Sequence, residues 1–291
     1  MNKYQNVCLA LLLASFSSAH AQTLSDYFNF TQDGTVASGG TVSAQYGTMT
    51  GTVQSTDTSI TSSGLTVTGG TGGATGLALT SGSLAPFTSD FSLQMYYTNS
   101  ANVLNGGIFG GVSGGAASGN ISGDNVLFTS YNNGDAIRPV TSNGGQYGAT
   151  NATPPDGTGS GTGSLLDVVL TYTASSQTLS EYVNGVSVAS GNASGFNGLA
   201  AVTNFAIGGV TNNPFGDPAD QETATSFLFY TGALSSTEVA ALDADGATPT
   251  LDQISTAGIT VESVPEPSTY ALLLGGMGLL VLLRKRQSLQ S

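Results

Sequence analysis

The sequence predicts an all-β fold, an antiparallel sandwich with one short late helix, on three observations. From about residue 25 to residue 247 no long stretch has helical periodicity, whereas alternation of apolar and polar residues recurs. Clusters of Gly, Ser, Thr and Asn punctuate those runs as turns require, and 41 of the 291 residues are Gly. The one cysteine, Cys8, and the one histidine, His20, fall in the first 21 residues, so the body must be held by apolar burial rather than by disulfides or Cys/His zinc sites. A hydrophobic content of 39%, with 12 Phe and 11 Tyr, is enough for a core.

The chain opens with the three parts of a secretory signal. Lys3 gives the positive start, residues 7–14 the short apolar stretch, and Ala19-His20-Ala21 the small-x-small cleavage site, which predicts a signal peptide over residues 1–21. A buried helix is the alternative, but it leaves the Ala-x-Ala ending without a role. Once cleaved, the mature chain has no Cys or His, which excludes thiol nucleophiles and Ser-His-Asp triads.

The sandwich is predicted over residues 22–247. In FSLQMYY (91–97), Phe91, Leu93, Met95 and Tyr97 share a face opposite Ser92, Gln94 and Tyr96. In LLDVVLTYT (165–173), Leu166, Val168, Leu170 and Tyr172 do the same. Further strands are expected at residues 64–69, 125–131, 204–210 and 225–232. Asn184-Gly185 stands between two β-rich runs, and both residues tolerate positive φ, so a type I′ hairpin is expected there. Ser235 and Glu238 have capping-box spacing ahead of a short helix with Val239 and Leu242 inward. The glycine-rich run GGIFGGVSGGAASG (106–119) reads as loop, because it lacks the Lys and the helix of a phosphate-binding loop.

Residues 248–263 read as a linker. Beyond them stand Pro265-Glu266-Pro267, an apolar Leu/Gly run over 270–283, and the cluster Arg284-Lys285-Arg286. Fourteen residues make a helix of about 21 Å, short against a hydrocarbon core of ~30 Å. The basic cluster keeps its end on the cytoplasmic side, so the segment reads as a stop-transfer helix in the inner membrane. Two prolines around a glutamate form a stiff, extended stretch just ahead of it. This tail resembles the PEP-CTERM sorting signal of Gram-negative bacteria over residues 264–287. The resemblance implies recognition by an exosortase-type enzyme, transient anchoring, and delivery to a cell surface or matrix rich in exopolysaccharide. A plain single-pass anchor is the alternative.

The body also carries a resemblance. The run VLTYTASSQTLSEYVNGVSVASG from Val169, then FAIGG from Phe205 and SFLFYTGALSSTEVAAL from Ser226, is similar to laminin-G-like, concanavalin A-like jelly-roll domains. It departs from them at Leu165, which stands where a Trp usually opens the strand, and at Thr225, which stands where an Asp is common. Those departures leave the fold intact and weaken any inherited ligand or calcium site.

Charge narrows the partners. All 18 acidic residues lie between Asp26 and Glu266, and the one basic residue in that span is Arg138. Such a body cannot neutralise a row of phosphates, which excludes nucleic acid and disfavours anionic membranes. Divalent cations and polysaccharides remain.

The loop NNPFGDPADQE (212–222) gathers Asp217, Asp220 and Glu222 with Asn212 and Asn213, a density of oxygens that suits Ca²⁺, although the composition favours an ordinary solvated turn between strands. Asp124, Asn125, Asn132, Asn133 and Asp135 form a weaker cluster. Glu181 is the only acid in its strand, Asp167 is isolated on the face opposite the apolar residues, and Glu238 is explained as a helix cap, so no pair for glycosidic cleavage is expected. Tyr96, Tyr97, Tyr131, Tyr147, Tyr182 and Tyr230 are candidates for stacking on sugar rings or for packing. The sequence therefore predicts an exported, non-enzymatic, glycan-associated module. A glycoside hydrolase and a purely structural coat protein are the alternatives.

Overall fold

The computed structural model describes residues 22–69, 75–101, 107–112, 126–132, 136–141, 163, 165–193, 196, 198–202, 204–209 and 221–262. The signal segment 1–21, the predicted membrane helix 270–283 and the basic cluster lie outside them.

In chain order the strands are β1 (Thr23–Asn29), β2 (Thr41–Ser43), β3 (Thr50–Val53), β4 (Thr58–Thr61), β5 (Gly64–Val67), β6 (Leu77–Leu79), β7 (Phe91–Ala101) and β8 (Gly107–Val112). They continue as β9 (Val126–Asn132), β10 (Ala136–Thr141), β11 (Leu165–Thr173), β12 (Thr178–Val183), β13 (Val186–Asn192), β14 (Asn204–Ile207) and β15 (Gln221–Thr231). Two helices follow, α1 (Ser236–Asp245) and α2 (Leu251–Thr256).

The strands form two antiparallel sheets, in the orders β13-β12-β11-β7-β15-β5-β4 and β10-β9-β8-β14-β6-β3-β2. The long strand β15 takes two partners end to end on one side: β5 opposite residues 222–224 and β1 opposite 226–231.

The core between the sheets is aromatic. Phe28, Phe30, Phe87, Phe91, Phe109, Phe205, Phe227 and Phe229 are buried in it, and Phe109 meets Phe227 edge-on with ring centroids 5.0 Å apart. The predicted inward faces of β7 and β11 are in this core. Asn184 (φ 48°) and Gly185 (φ 74°) turn between β12 and β13 as expected, and the Ser235/Glu238 capping box opens α1.

Two expectations need correction. The glycine-rich run is not all loop, because residues 107–112 are strand β8, paired with β9 and β14. Its glycines let backbones approach closely: a Cβ on Gly111 would collide with the carbonyl of Asn204. The opposite faces of β7 and β11 are buried too. Tyr96 Oη donates a 2.7 Å hydrogen bond to the Leu242 carbonyl of α1, Gln94 and Asp167 lie beside it, and Ser92 Oγ accepts from Leu234 N at 2.9 Å just ahead of the helix. Residues 248–260 are no free linker: they form α2, bury Ile254 and Ile259, and end in a parallel bridge between Thr260 and Thr23. The compact unit thus closes at Thr260.

Candidate functional site

The nominated residues meet different fates. Ala19, Ala21, Asp217, Asp220, Pro265, Glu266, Pro267, Arg284, Lys285 and Arg286 lie outside the described residues, as do Asp124, Asp135 and Tyr147. Glu222 is described, and the loop assignment is corrected for it: it is a buried residue of β15, opposite Val67 of β5 and Asn99 of β7. β15 starts four residues earlier than its apolar run suggests, which draws Glu222 out of the proposed calcium loop. Among the described residues no group of three or more His, Cys, Asp and Glu could hold a metal ion.

Two buried carboxyls, Glu181 and Asp167, cannot act as a pair. Glu181 lies opposite Leu170 and faces the core, where Thr129 of the other sheet donates to its Oε1 at 2.8 Å. Asp167 faces the opposite side of that same sheet, where Gln94 Nε2 lies 3.0 Å from both its oxygens. Burial pushes the Glu181 carboxyl up to about 8 and the Asp167 carboxyl well above the usual range. With a sheet between them, the two do not flank one substrate.

Tyr96, Tyr97 and Tyr230 are packing residues, each no more than 1% exposed. Tyr230 Oη donates to Gln94 Oε1 at 2.7 Å, and Gln94 Nε2 donates to Tyr96 Oη at 2.9 Å, so both hydroxyls belong to the network under α1. Tyr182 is half-buried on β12.

The concave site is built from tyrosines that the sequence did not single out. A cleft of about 440 Å³, within the ~300–1,000 Å³ of ligand pockets, is lined by Tyr27 and Asn29 of β1, Gln32, Gln45, Tyr46, and residues 248–251. Its lining carries no ionisable acid or base other than the tyrosines. Tyr27, Asn29 and Pro249 are buried at its floor, Tyr46 is half-buried, and Gln32, Gln45, Thr248, Thr250 and Leu251 stand exposed around it.

Local bonding fixes each wall. The segment 45–46 docks on β1: Tyr27 N donates to Tyr46 O at 3.0 Å, and Gln45 N donates to Tyr27 O at 2.8 Å. Asp26 Oδ1 then accepts from Thr48 N and Met49 N at 2.6 and 2.8 Å and pins the loop beyond Tyr46. Asn29 caps the 3₁₀ turn Phe30–Gln32, its Oδ1 accepting from Thr31 N and Oγ1. On the far wall Thr250 and Gln253 form a capping box at the start of α2. The Thr23–Thr260 bridge holds both walls together, with Leu24 N donating to Thr260 O at 2.9 Å and Thr260 N to Gln22 O at 2.8 Å.

Residues 263–287 match the PEP-CTERM protein-sorting motif. The motif implies export, membrane-anchored sorting and processing by an exosortase. A search of curated proteins finds no match. Among solved structures the chain is similar to Trypanosoma rangeli sialidase in complex with 2,3-difluorosialic acid, at TM-score 0.55 and 18% identity, over 76% of this chain and 32% of that one. A mutant of the same sialidase displaying trans-sialidase activity matches at TM-score 0.52 and 20% identity, over 79% and 33%. Domain 4 of AbnA, a GH43 extracellular arabinanase from Geobacillus stearothermophilus, in complex with arabinotriose, gives TM-score 0.48 and 16% identity, over 77% and 100%. The chain spans about a third of the length of the sialidases it matches. At these identities the sialidase likeness shows a shared β fold.

Proposed function

We propose that this is an exported, non-enzymatic protein of the cell surface or extracellular matrix of a Gram-negative bacterium, which associates with exopolysaccharide through the cleft. The cleft carries the reading. It combines two tyrosines, three side-chain amides, two threonines and a partly exposed leucine, a lining suited to the hydroxyls and apolar faces of sugars. A body with 18 acids and a single interior cation repels an anionic ligand there. Glycoside cleavage, the second reading, needs two carboxyls about 5–10 Å apart around one substrate, and the separation of Asp167 and Glu181 by a sheet speaks against them as that pair.

The sorting tail supports the delivery half of the reading. Mass spectrometry of the surface-exposed protein is expected to find a C-terminus near Pro265 to Pro267; an intact Arg284 to Arg286 in most molecules would contradict processing. Affinity electrophoresis tests the binding half. The exported protein is expected to be retarded in native gels cast with the producer's exopolysaccharide, and unchanged migration would leave a structural coat protein as the better account.

A further inference from the structure

The residue that follows the predicted signal cleavage site is tied down at three points. Gln22 is half-buried ahead of β1, and its carbonyl oxygen accepts from Thr260 N at 2.8 Å. Its side-chain Nε2 donates to the Ala233 carbonyl at 3.0 Å, in the turn that leads from β15 into α1. Between these two bonds the residue packs on Gly232, where an added Cβ would stand 3.3 Å from Gln22 Cα and 3.4 Å from its Cγ.

A glutamine at an amino terminus carries a reaction of its own. The neutral α-amine attacks the side-chain Cδ, the new N–Cδ bond closes a lactam, and the Cδ–Nε2 bond breaks. The side-chain nitrogen leaves as ammonia with the proton that the amine gives up, so pyroglutamate forms without any other reactant. An α-amino group has an ordinary pKa near ~8, which leaves a share of it neutral at physiological pH.

Ring closure brings Cδ onto the backbone nitrogen and turns the amide away from Ala233. Nε2, the atom that must leave, is the donor to the Ala233 carbonyl, and Cγ is packed on Gly232. Closing the ring therefore gives up a hydrogen bond and a packing contact. The bond from Thr260 N keeps the Gln22 backbone from moving off with its side chain.

We propose that signal cleavage leaves Gln22 as the amino terminus and that the fold holds it there as an open glutamine with a free α-amine. It is a modification site that closes to pyroglutamate only when the terminus is released from Ala233 and Thr260. The retained ammonium joins Arg138 as the second positive charge of a body that carries 18 acids. Nothing in this inference depends on the glycan reading of the cleft.

The test follows the amino-terminal peptide of the exported protein by mass spectrometry during incubation at neutral pH. The synthetic peptide of residues 22–28, QTLSDYF, gives the unrestrained rate, and both samples are run with and without guanidinium chloride. The exported protein is expected to begin at Gln22 with its amine free. It is expected to lose ammonia about tenfold more slowly than the peptide, the order of one net hydrogen bond. Unfolding in guanidinium chloride is expected to bring it to the peptide's rate. Equal rates in folded protein and peptide overturn the inference, as does an exported chain that already begins with pyroglutamate or begins at another residue. A slow rate that persists in guanidinium chloride also overturns it, since the protection then does not come from the fold.

Discussion

Thr129 Oγ1 reaches across the sandwich to donate a 2.8 Å hydrogen bond to Glu181 Oε1, and the other carboxylate oxygen of Glu181 has no hydrogen bond. An acid at the centre of an aromatic core is tolerated because it keeps its proton. Burial moves its pKa from the ordinary 4.5 up to about 8.

Stability is therefore predicted to fall as pH rises through the interval from 4.5 to 8. In that window the unfolded state releases the proton and the native state retains it, so each pH unit removes up to about 1.4 kcal/mol. The raised Asp167 carboxyl acts in the same direction. Urea unfolding at pH 5 and pH 8 measures the difference, and Glu181→Gln should flatten it by relieving the loss at pH 8.

Tyr96→Phe is expected to cost about 1–3 kcal/mol. It removes the hydrogen bond to the Leu242 carbonyl and leaves Gln94 short of an acceptor, loosening α1 from the sheet. The loss is measured by chemical denaturation.

Asn184→Ala is expected to destabilise by about 1–2 kcal/mol for two separate reasons. Asn184 sits at φ 48°, where Asn is favoured over Ala, and its Oδ1 accepts from Asp167 N at 2.9 Å. Asn184→Gly keeps the turn and loses the hydrogen bond, so its midpoint should fall between those of the wild type and Asn184→Ala.

The correction at the C-terminal boundary makes a prediction of its own. A chain ending at residue 247 loses the buried Ile254 and Ile259, each worth ~1.5–3 kcal/mol, and the Thr260 bridge to Thr23. Residues 22–247 should therefore melt well below residues 22–262 and lose one wall of the cleft.

How much of this was legible in the sequence follows from where each signal resides. The β7 and β11 alternation, the Asn184-Gly185 turn and the Ser235/Glu238 cap are local, and residue type alone reveals them. Strand β8 was hidden because glycine contributes no side chain to a periodic pattern; only the pairing of Gly111 opposite Phe205 exposes its role. Asp167 looked solitary because its partners, Gln94 and the covering helix, lie some seventy residues away on either side. The cleft was invisible for the same reason. Tyr27 and Thr248 are joined by the pairing of the two ends of the sandwich, which no short motif announces.

Hydrogen–deuterium exchange of the exported protein, with and without the producer's exopolysaccharide, tests the cleft most directly. The account predicts polymer-dependent protection concentrated in two segments distant in sequence, around residues 45–46 and 248–251. Binding that protects other segments and leaves these two unchanged would contradict it.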